Sequence, residues 1–305
     1  MKFAILGDTH FDFWLLTNFK EKHFHLQFHK LLESAQADVL LLPGDIGHYN
    51  AQNLQCLQYM RQYFDRIVVT FGNHDYYLIT NSVREKYKYR NPNRPSEERV
   101  AEMKKMIEDT EGIDYVDGNI LDIGGVKIGG ATGWYDGSLI MNKSNHEDIN
   151  WDWRFMSNDA NLIYPNGDNG AKFDRLFHEQ KHRLDAVYRE CDIMMSHVSP
   201  LSEWKQFVEM YGFDSDQAAR DPNYSINHEA LQDYRAFYCF DGKEYLENGS
   251  MKHWVFGHTH RNFSRTYERQ DGKNIDIHCN SIGYPDKGKI PKEFGLKVIE
   301  VYSGI

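Results

Sequence analysis

Nine polar residues in this 305-residue chain stand where chemistry could be done: Asp8, His10, Asp45, Asn73, His74, Asp75, His197, His258 and His260. They fall in five short clusters. These are Asp8-Thr9-His10, Gly44-Asp45, Gly72-Asn73-His74-Asp75, Ser196-His197-Val198 and Gly257-His258-Thr259-His260. Carboxylate oxygen, amide oxygen and imidazole nitrogen are donors suited to divalent Mn, Fe or Zn, and no thiolate is among them. Asp8 and His10 are two residues apart, as are His258 and His260. Strand alternation would turn each pair to one side.

Each cluster follows an apolar run. KFAIL at 2–6 precedes Gly7-Asp8, DVLLL at 38–42 precedes Pro43-Gly44-Asp45, and RIVVTF at 66–71 precedes Gly72-Asn73. Helical stretches over about 18–35 and 51–64 separate them. This strand–helix rhythm predicts a layered α/β core. Ligands of an open α/β sheet bind beyond the carboxyl ends of its strands, so clusters more than 200 residues apart should converge there. Glycines 44, 72 and 257 would let the backbone leave the strand tips sharply.

Further along, residues 76–98 are rich in Tyr, Arg, Asn and Pro and read as irregular, with a helix over about 97–110. Strands are expected near 119–123, 126–131, 192–196, 252–256, 263–267, 275–279 and 296–301, and a helix over 174–189. Residues 134–172 show no period and read as a long functional loop. The chain is expected to be one domain over 1–305, with insertions at about 76–112 and 134–172 forming a lid or cap.

Composition narrows the field. Hydrophobic residues at 41% and aromatics at 14% exclude a disordered chain. A formal charge of −10 disfavours non-specific nucleic-acid binding. Four scattered cysteines without CxxC spacing fit reduced thiols in a cytoplasmic protein. The apolar start is too short for a signal-peptide core, and no run approaches a membrane span. Most of the 15 histidines, among them His23, His25, His29, His178, His182 and His253, lack partners at ligand spacing and are assigned to packing or surface.

The ordered series from Asp8 to His260 resembles the calcineurin-like metallophosphoesterases. Two softer matches extend it. Gly130-Ala131-Thr132-Gly133-Trp134-Tyr135-Asp136 resembles a segment of a bacterial and prophage branch of that family. Asn280-Ser281-Ile282-Gly283-Tyr284-Pro285 resembles its Asn-Pro-Arg-Gly-Tyr turn, with Ser281-Ile282 in place of Pro-Arg. The resemblance implies a four-layer α/β/β/α sandwich, with two mixed sheets flanked by helices. It implies one metal on Asp8, His10, Asp45 and His260, and a second on Asp45, Asn73, His197 and His258, with Asp45 bridging.

The chemistry it implies is hydrolysis of a phosphate ester by metal-activated hydroxide, with Mn foremost and Fe, Zn, Ni or Mg as alternatives. His74 would face the phosphate as general acid, and Asp75 would orient it or cap a helix. His48 stands where protein Ser/Thr phosphatases carry a second Asp, and their Arg is absent, so a phosphoprotein substrate is not expected. A small phosphomonoester or phosphodiester, or a nucleotide, is. The alternative is a nuclease or nucleic-acid end-processing enzyme that uses the basic, tyrosine-rich segment 84–94. A non-catalytic scaffold fits poorly, because every ligand position is filled.

Overall fold

In a computed structural model of the chain, residues 1–16, 18–135, 137, 153–155, 157–164, 173–203, 236–285, 290–291 and 293–302 are described. The helices are α1 (Phe11–Leu15), α2 (Glu21–Ser34), α3 (Asn50–Met60), α4 (Asn73–Tyr76), α5 (Asn81–Arg90) and α6 (Pro95–Glu108), followed by α7 (Asp159–Leu162), α8 (Phe173–Asp185) and α9 (Lys243–Asn248). The strands β1 (Lys2–Ile5), β2 (Val39–Pro43), β3 (Arg66–Thr70), β4 (Ile113–Tyr115) and β11 (Lys297–Glu300) form one sheet in the order β11-β1-β2-β3-β4. The second sheet runs β5-β6-β7-β8-β10-β9, from β5 (Ile120–Ile123), β6 (Val126–Gly130), β7 (Ile193–Met195), β8 (His253–Phe256), β9 (Asn262–Glu268) and β10 (Asn274–Asn280). Both sheets are mixed. β11 is antiparallel to β1, β5 to β6 and β9 to β10, while β1-β2-β3-β4 and β6-β7-β8-β10 are parallel.

Strand alternation builds the layers. Phe3, Ile5, Val39, Leu41 and Val68 of the first sheet pack with Ile128, Ile193, Met195 and Val255 of the second. Their neighbours Ala4, Leu40, Leu42, Ile67 and Val69 point the other way, onto Phe24, Phe28, Leu57, Met60, Val100 and Met103 of α2, α3 and α6. On the far side Met194, Trp254 and Phe256 meet Leu184 of α8 and Tyr245 and Leu246 of α9. A strand buried on both faces needs an unbroken apolar run, which is why these strands were legible. The result is the expected α/β/β/α sandwich. Among the described residues no helix is long and apolar enough to cross a membrane.

One expectation fails inside 76–98. Residues 81–90 form helix α5, although the sequence NSVREKYKYR has no apolar stripe. Its stability comes from elsewhere. Thr80 Oγ1 accepts the Val83 N–H as an N-cap, Tyr87 is buried with Leu78 and Tyr164, and Lys86 and Arg90 reach Glu102 on α6. The 76–112 stretch is thus ordered and folded onto α4 and β3. Most of the 134–172 insertion lies outside the described residues.

Candidate metal centre

The carboxyl ends of β1, β2, β3, β7 and β8 all open on the same edge of the sandwich. Asp8 and His10 leave β1, Asp45 leaves β2, Asn73 follows β3, His197 follows β7, and His258 and His260 follow β8. Ligating atoms of Asp8, His10, Asp45 and His260 lie within 4.8 Å of one another, as do those of Asp45, His197 and His258. Asn73 Oδ1 is 2.9 Å from His197 Nε2, which places it beside the second group. All seven candidate ligands are brought together, and Asp45 belongs to both sets.

The means by which the pairs converge differs from strand alternation. β1 ends at Ile5 and β8 at Phe256, so neither pair lies on a strand. Instead Asp8, His10, Asp45, His258 and His260 all adopt positive φ, between 39° and 65°. Left-handed backbone costs an L-residue roughly 1–2 kcal/mol, and Asp and His enter it more readily than most. Five such residues at one edge mark a site where backbone strain is held by its surroundings. The glycines also divide their roles. Gly44 has φ +87°, as expected, but at Gly72 the need is space. A Cβ there would sit 2.1 Å from Asp45 Oδ1, and one on Gly257 would sit 2.8 Å from Asp8 Oδ2.

Hydrogen bonds fix which atom each side chain presents. His197 Nδ1 donates to the Pro43 carbonyl at 2.9 Å, leaving Nε2 for the cluster. His258 Nε2 donates to the Phe237 carbonyl at 3.1 Å, leaving Nδ1. Such outer partners set the tautomer and orientation of a metal-binding histidine. Asp8 accepts the His258 N–H at 2.9 Å and the Ser281 hydroxyl. The serine that replaces the proline of the related turn therefore supports a carboxylate, and Ile282 is buried in the core.

The centre fits cations on its own terms. His10 Nε2 and His260 Nε2 face each other at 3.0 Å, with Asp8 Oδ1 3.4 Å from the latter and Asp45 Oδ2 3.7 Å from the former. Two imidazole lone pairs and two carboxylates meeting in a buried space suit a divalent ion. The electrostatics agree. Burial would push the Asp45 carboxyl up, but the His197 and His74 rings hold it well below the usual range. Burial lowers His258 to about 4, and it lowers His10 well below its ordinary value, aided by His74. Burial also opposes charge on His197, but Asp45 and Asp8 outweigh it and raise the ring to about 9.

His74 sits at the rim. Its Nδ1 is 2.9 Å from His48 Nε2, and His48 Nδ1 is 2.8 Å from Asp12 Oδ2, with the two imidazoles stacked at 5.0 Å. Tyr284 Oη lies 3.3 Å from His74 Nε2. His48 thus stands in the middle of a hydrogen-bonded chain from Asp12 to His74. Of the two roles expected of Asp75, orienting His74 or capping a helix, its contacts are those of a cap. It does not line the cavity and accepts backbone N–H groups from Gly72 (2.7 Å), Asp45 (3.0 Å) and Ile46 (3.2 Å). Burial and the neighbouring Asp45 raise its carboxyl to about 6, against the pull of Arg99. That arginine, on α6 and fully buried, donates to the carbonyls of His74, Tyr77 and Gly47.

A cavity of about 420 Å³ opens over the centre, walled by Tyr77, Asn158, Tyr238, Arg261 and Tyr284 among others. The basic segment does not serve it. Lys86 and Arg90 pair with Glu102, Arg94 pairs with Glu97 and Glu179, and Arg84 lies over the Tyr164 ring. Of the smaller histidine assignments, His25 and His29 bond Tyr59 and Tyr63 across α2 and α3, a packing role. In the 130–136 segment, Thr132 O accepts the His197 N–H, and Asp136 lies outside the described residues.

Residues 1–262 match the family model of the calcineurin-like phosphoesterases, most of the chain and every candidate ligand. The chain is a member of that family. It is therefore a metal-dependent phosphoesterase, of a family that uses divalent metals. Among solved structures, the phosphopantetheinyl hydrolase PptH of Mycobacterium tuberculosis superposes with a TM-score of 0.64, over 98% of this phosphoesterase and 95% of that chain. At 16% identity this likeness bears on the fold alone. A second solved chain aligns over 92% of this one and 90% of its own, at 11% identity and a TM-score of 0.45, and carries no weight. No curated protein matches significantly.

Asp12, Asp159 and Arg99 are residues around the centre that sequence reasoning missed, and Tyr284 was seen only as part of a turn. Asp12 follows two residues after a motif histidine, but nothing in Phe11-Asp12-Phe13 shows that its carboxylate turns inward.

Proposed function

We propose that this phosphoesterase hydrolyses a small phosphate ester, a monoester, diester or nucleotide, at a two-cation centre. The observation that carries the reading is Asp45, whose carboxylate is shared by two Asp/His donor sets around one buried edge. In this reading Asp8, His10, Asp45 and His260 hold one ion, and Asp45, Asn73, His197 and His258 hold the other. Bound there, the ions supply a nucleophile from water at neutral pH and stabilise the charge that builds on the phosphoryl oxygens. Oxygen and nitrogen donors without thiolate favour Mn, with Fe, Zn, Ni and Mg behind it.

His74 is the proton donor to the leaving oxygen. Its Nδ1 is taken by His48, so Nε2 is the nitrogen that faces the cavity. Burial lowers the ring to about 4. It donates from Nε2 while His48 holds Nδ1, and Asp12 is the counter-charge at the far end of that chain. Asp12 is held below its usual range despite burial, because it accepts from His48.

The cavity volume is in the range of small-ligand sites. With Lys86, Arg90 and Arg94 of segment 84–94 paired to carboxylates, a small ester suits this site better than a nucleic-acid backbone. The test is a panel of aryl mono- and diesters, nucleotides, phosphopeptides and DNA, each with Mn, Zn, Mg and Ni, alongside metal analysis of the protein. A phosphopantetheinyl ester belongs in it, since the structural neighbour is named for that group. Two metal equivalents and turnover of a small ester are expected. Cleavage of long DNA or RNA with every small ester inert would replace this reading with the nuclease one.

A further inference from the structure

The Asn73 amide has two ends of nearly equal shape, and the choice between them is made outside the motif. Its Nδ2 donates to Asp159 Oδ1 at 2.8 Å and to the Tyr77 hydroxyl at 3.0 Å, while Oδ1 turns to His197 Nε2. Asp159 opens α7 in the 134–172 insertion and is 3% exposed. It also accepts the Tyr77 hydroxyl on Oδ1 at 2.5 Å and the Tyr135 hydroxyl on Oδ2. A carboxylate only accepts hydrogen bonds. It therefore takes the N–H end of the amide and leaves the carbonyl oxygen to the centre. A reversed Asn73 would set its oxygen against the Asp159 carboxylate and aim its N–H₂ at a cation.

We propose that Asp159 is a positioning residue: it fixes Asn73 so that an oxygen, not an amide N–H₂, faces the divalent ion shared with Asp45, His197 and His258. None of the segments that carry the family resemblance includes Asp159, so the insertion contributes to the metal centre itself and not only to its cover. This rests on the two-cation reading above. Outer partners of this kind change metal affinity by about 10–100-fold.

The test reads metal, using Mn²⁺ titrated into the full chain. Asp159→Asn can donate to Asn73 and so permits the reversed amide. It should weaken one of two Mn²⁺ equivalents by about 10–100-fold and leave the other unchanged. Asn73→Asp alone sets two carboxylates face to face and should also lose that equivalent. The exchanged pair, Asn73→Asp with Asp159→Asn, again turns an oxygen to the ion with an amide behind it, and should regain it. Tyr135→Phe removes a partner of Asp159 without touching Asn73 and should keep both. Wild-type affinity in Asp159→Asn, an exchanged pair that binds or folds no better than the single variants, or equal metal loss in Tyr135→Phe would each overturn the proposal. A wild-type protein that binds a single equivalent would instead sink the two-cation reading, and the proposal would still stand or fall on whether Asp159→Asn weakens that one ion.

Discussion

The carboxylate of Asp45 accepts the backbone N–H of His74 at 2.9 Å through Oδ1, while its Oδ2 lies 3.3 Å from His197 and 3.7 Å from His10. One side chain thus fixes the start of α4 and faces both donor groups. On the two-cation reading, replacing it with a neutral amide would remove the charge that balances both ions. Asp45→Asn is expected to lose turnover and to weaken both metals. Elemental analysis of the purified variant checks this, and two full equivalents with wild-type activity would refute the shared-carboxylate reading.

His74 separates proton transfer from metal binding. His74→Asn should keep its metals while the rate falls about 10²–10⁴-fold, the size of a general acid's contribution. The deficit should shrink for p-nitrophenolate, which leaves without a proton. His48→Ala should repeat that leaving-group pattern more mildly, and should cost nothing further in a His74→Asn background. An equal loss for good and poor leaving groups would make phosphate binding the role of His74.

Gly72→Ala tests the close approach of two loops. The added Cβ would lie 2.1 Å from Asp45 Oδ1, so the carboxylate or the β3 tip must shift. A misplacement of about 1 Å costs on the order of 10²-fold in rate. Metal content should fall with activity, while far-ultraviolet circular dichroism stays native. A Gly72→Ala protein with normal metal and rate would show that the loops have slack.

Stability should carry a histidine signature away from the centre. His278 on β10 is 6% exposed, and burial lowers it to about 4, aided by the neighbouring His253 and Lys297 and opposed by Asp276. Its folded pKa lies below its unfolded value near 6.5, so the unfolded chain binds the extra proton between those two values. Stability should therefore be full above about pH 6.5 and fall as pH drops toward 4, by at most on the order of 3 kcal/mol for this residue. His278→Gln should flatten the pH dependence of the denaturation midpoint in that window. An unchanged slope would mean that His278 is as solvated as in the unfolded chain.

The described strands other than β4, and the seven candidate ligands, were legible because the buried strands read as apolar runs that stop at the motif. The geometry between them was not. Sequence spacing could place Asp8 and His10 on one side, but not reveal that left-handed backbone achieves it. Helix α5 escaped because its stability lies in Glu102 and Tyr164, contacts with no local trace in residues 81–90. Adjacency left Asp75 either to orient His74 or to cap a helix, and a carboxylate at the first turn of a helix is drawn to free N–H groups, of which it accepts three. Asp12 and Asp159 reach the site only through tertiary packing, so neither sits in a recognisable motif.

The chain's first strand is completed by its last, with Lys2 opposite Glu300 in register, and Asp8 and His10 wait for His258 and His260 some 250 residues later. Contacts of that sequence separation form late, because closing so long a loop must precede any reward from it. During synthesis, at roughly 5–20 residues per second, β1, β2 and β3 with their helices would emerge carrying Asp8, Asp45 and Asn73 well before any of the three downstream histidines exists. A nascent or truncated chain would thus hold only weak, carboxylate-rich half-sites. On the two-cation reading, competence to capture both ions would require His258 and His260 after β8, so products that end before β8 would lack hydrolytic power through the order of the strands.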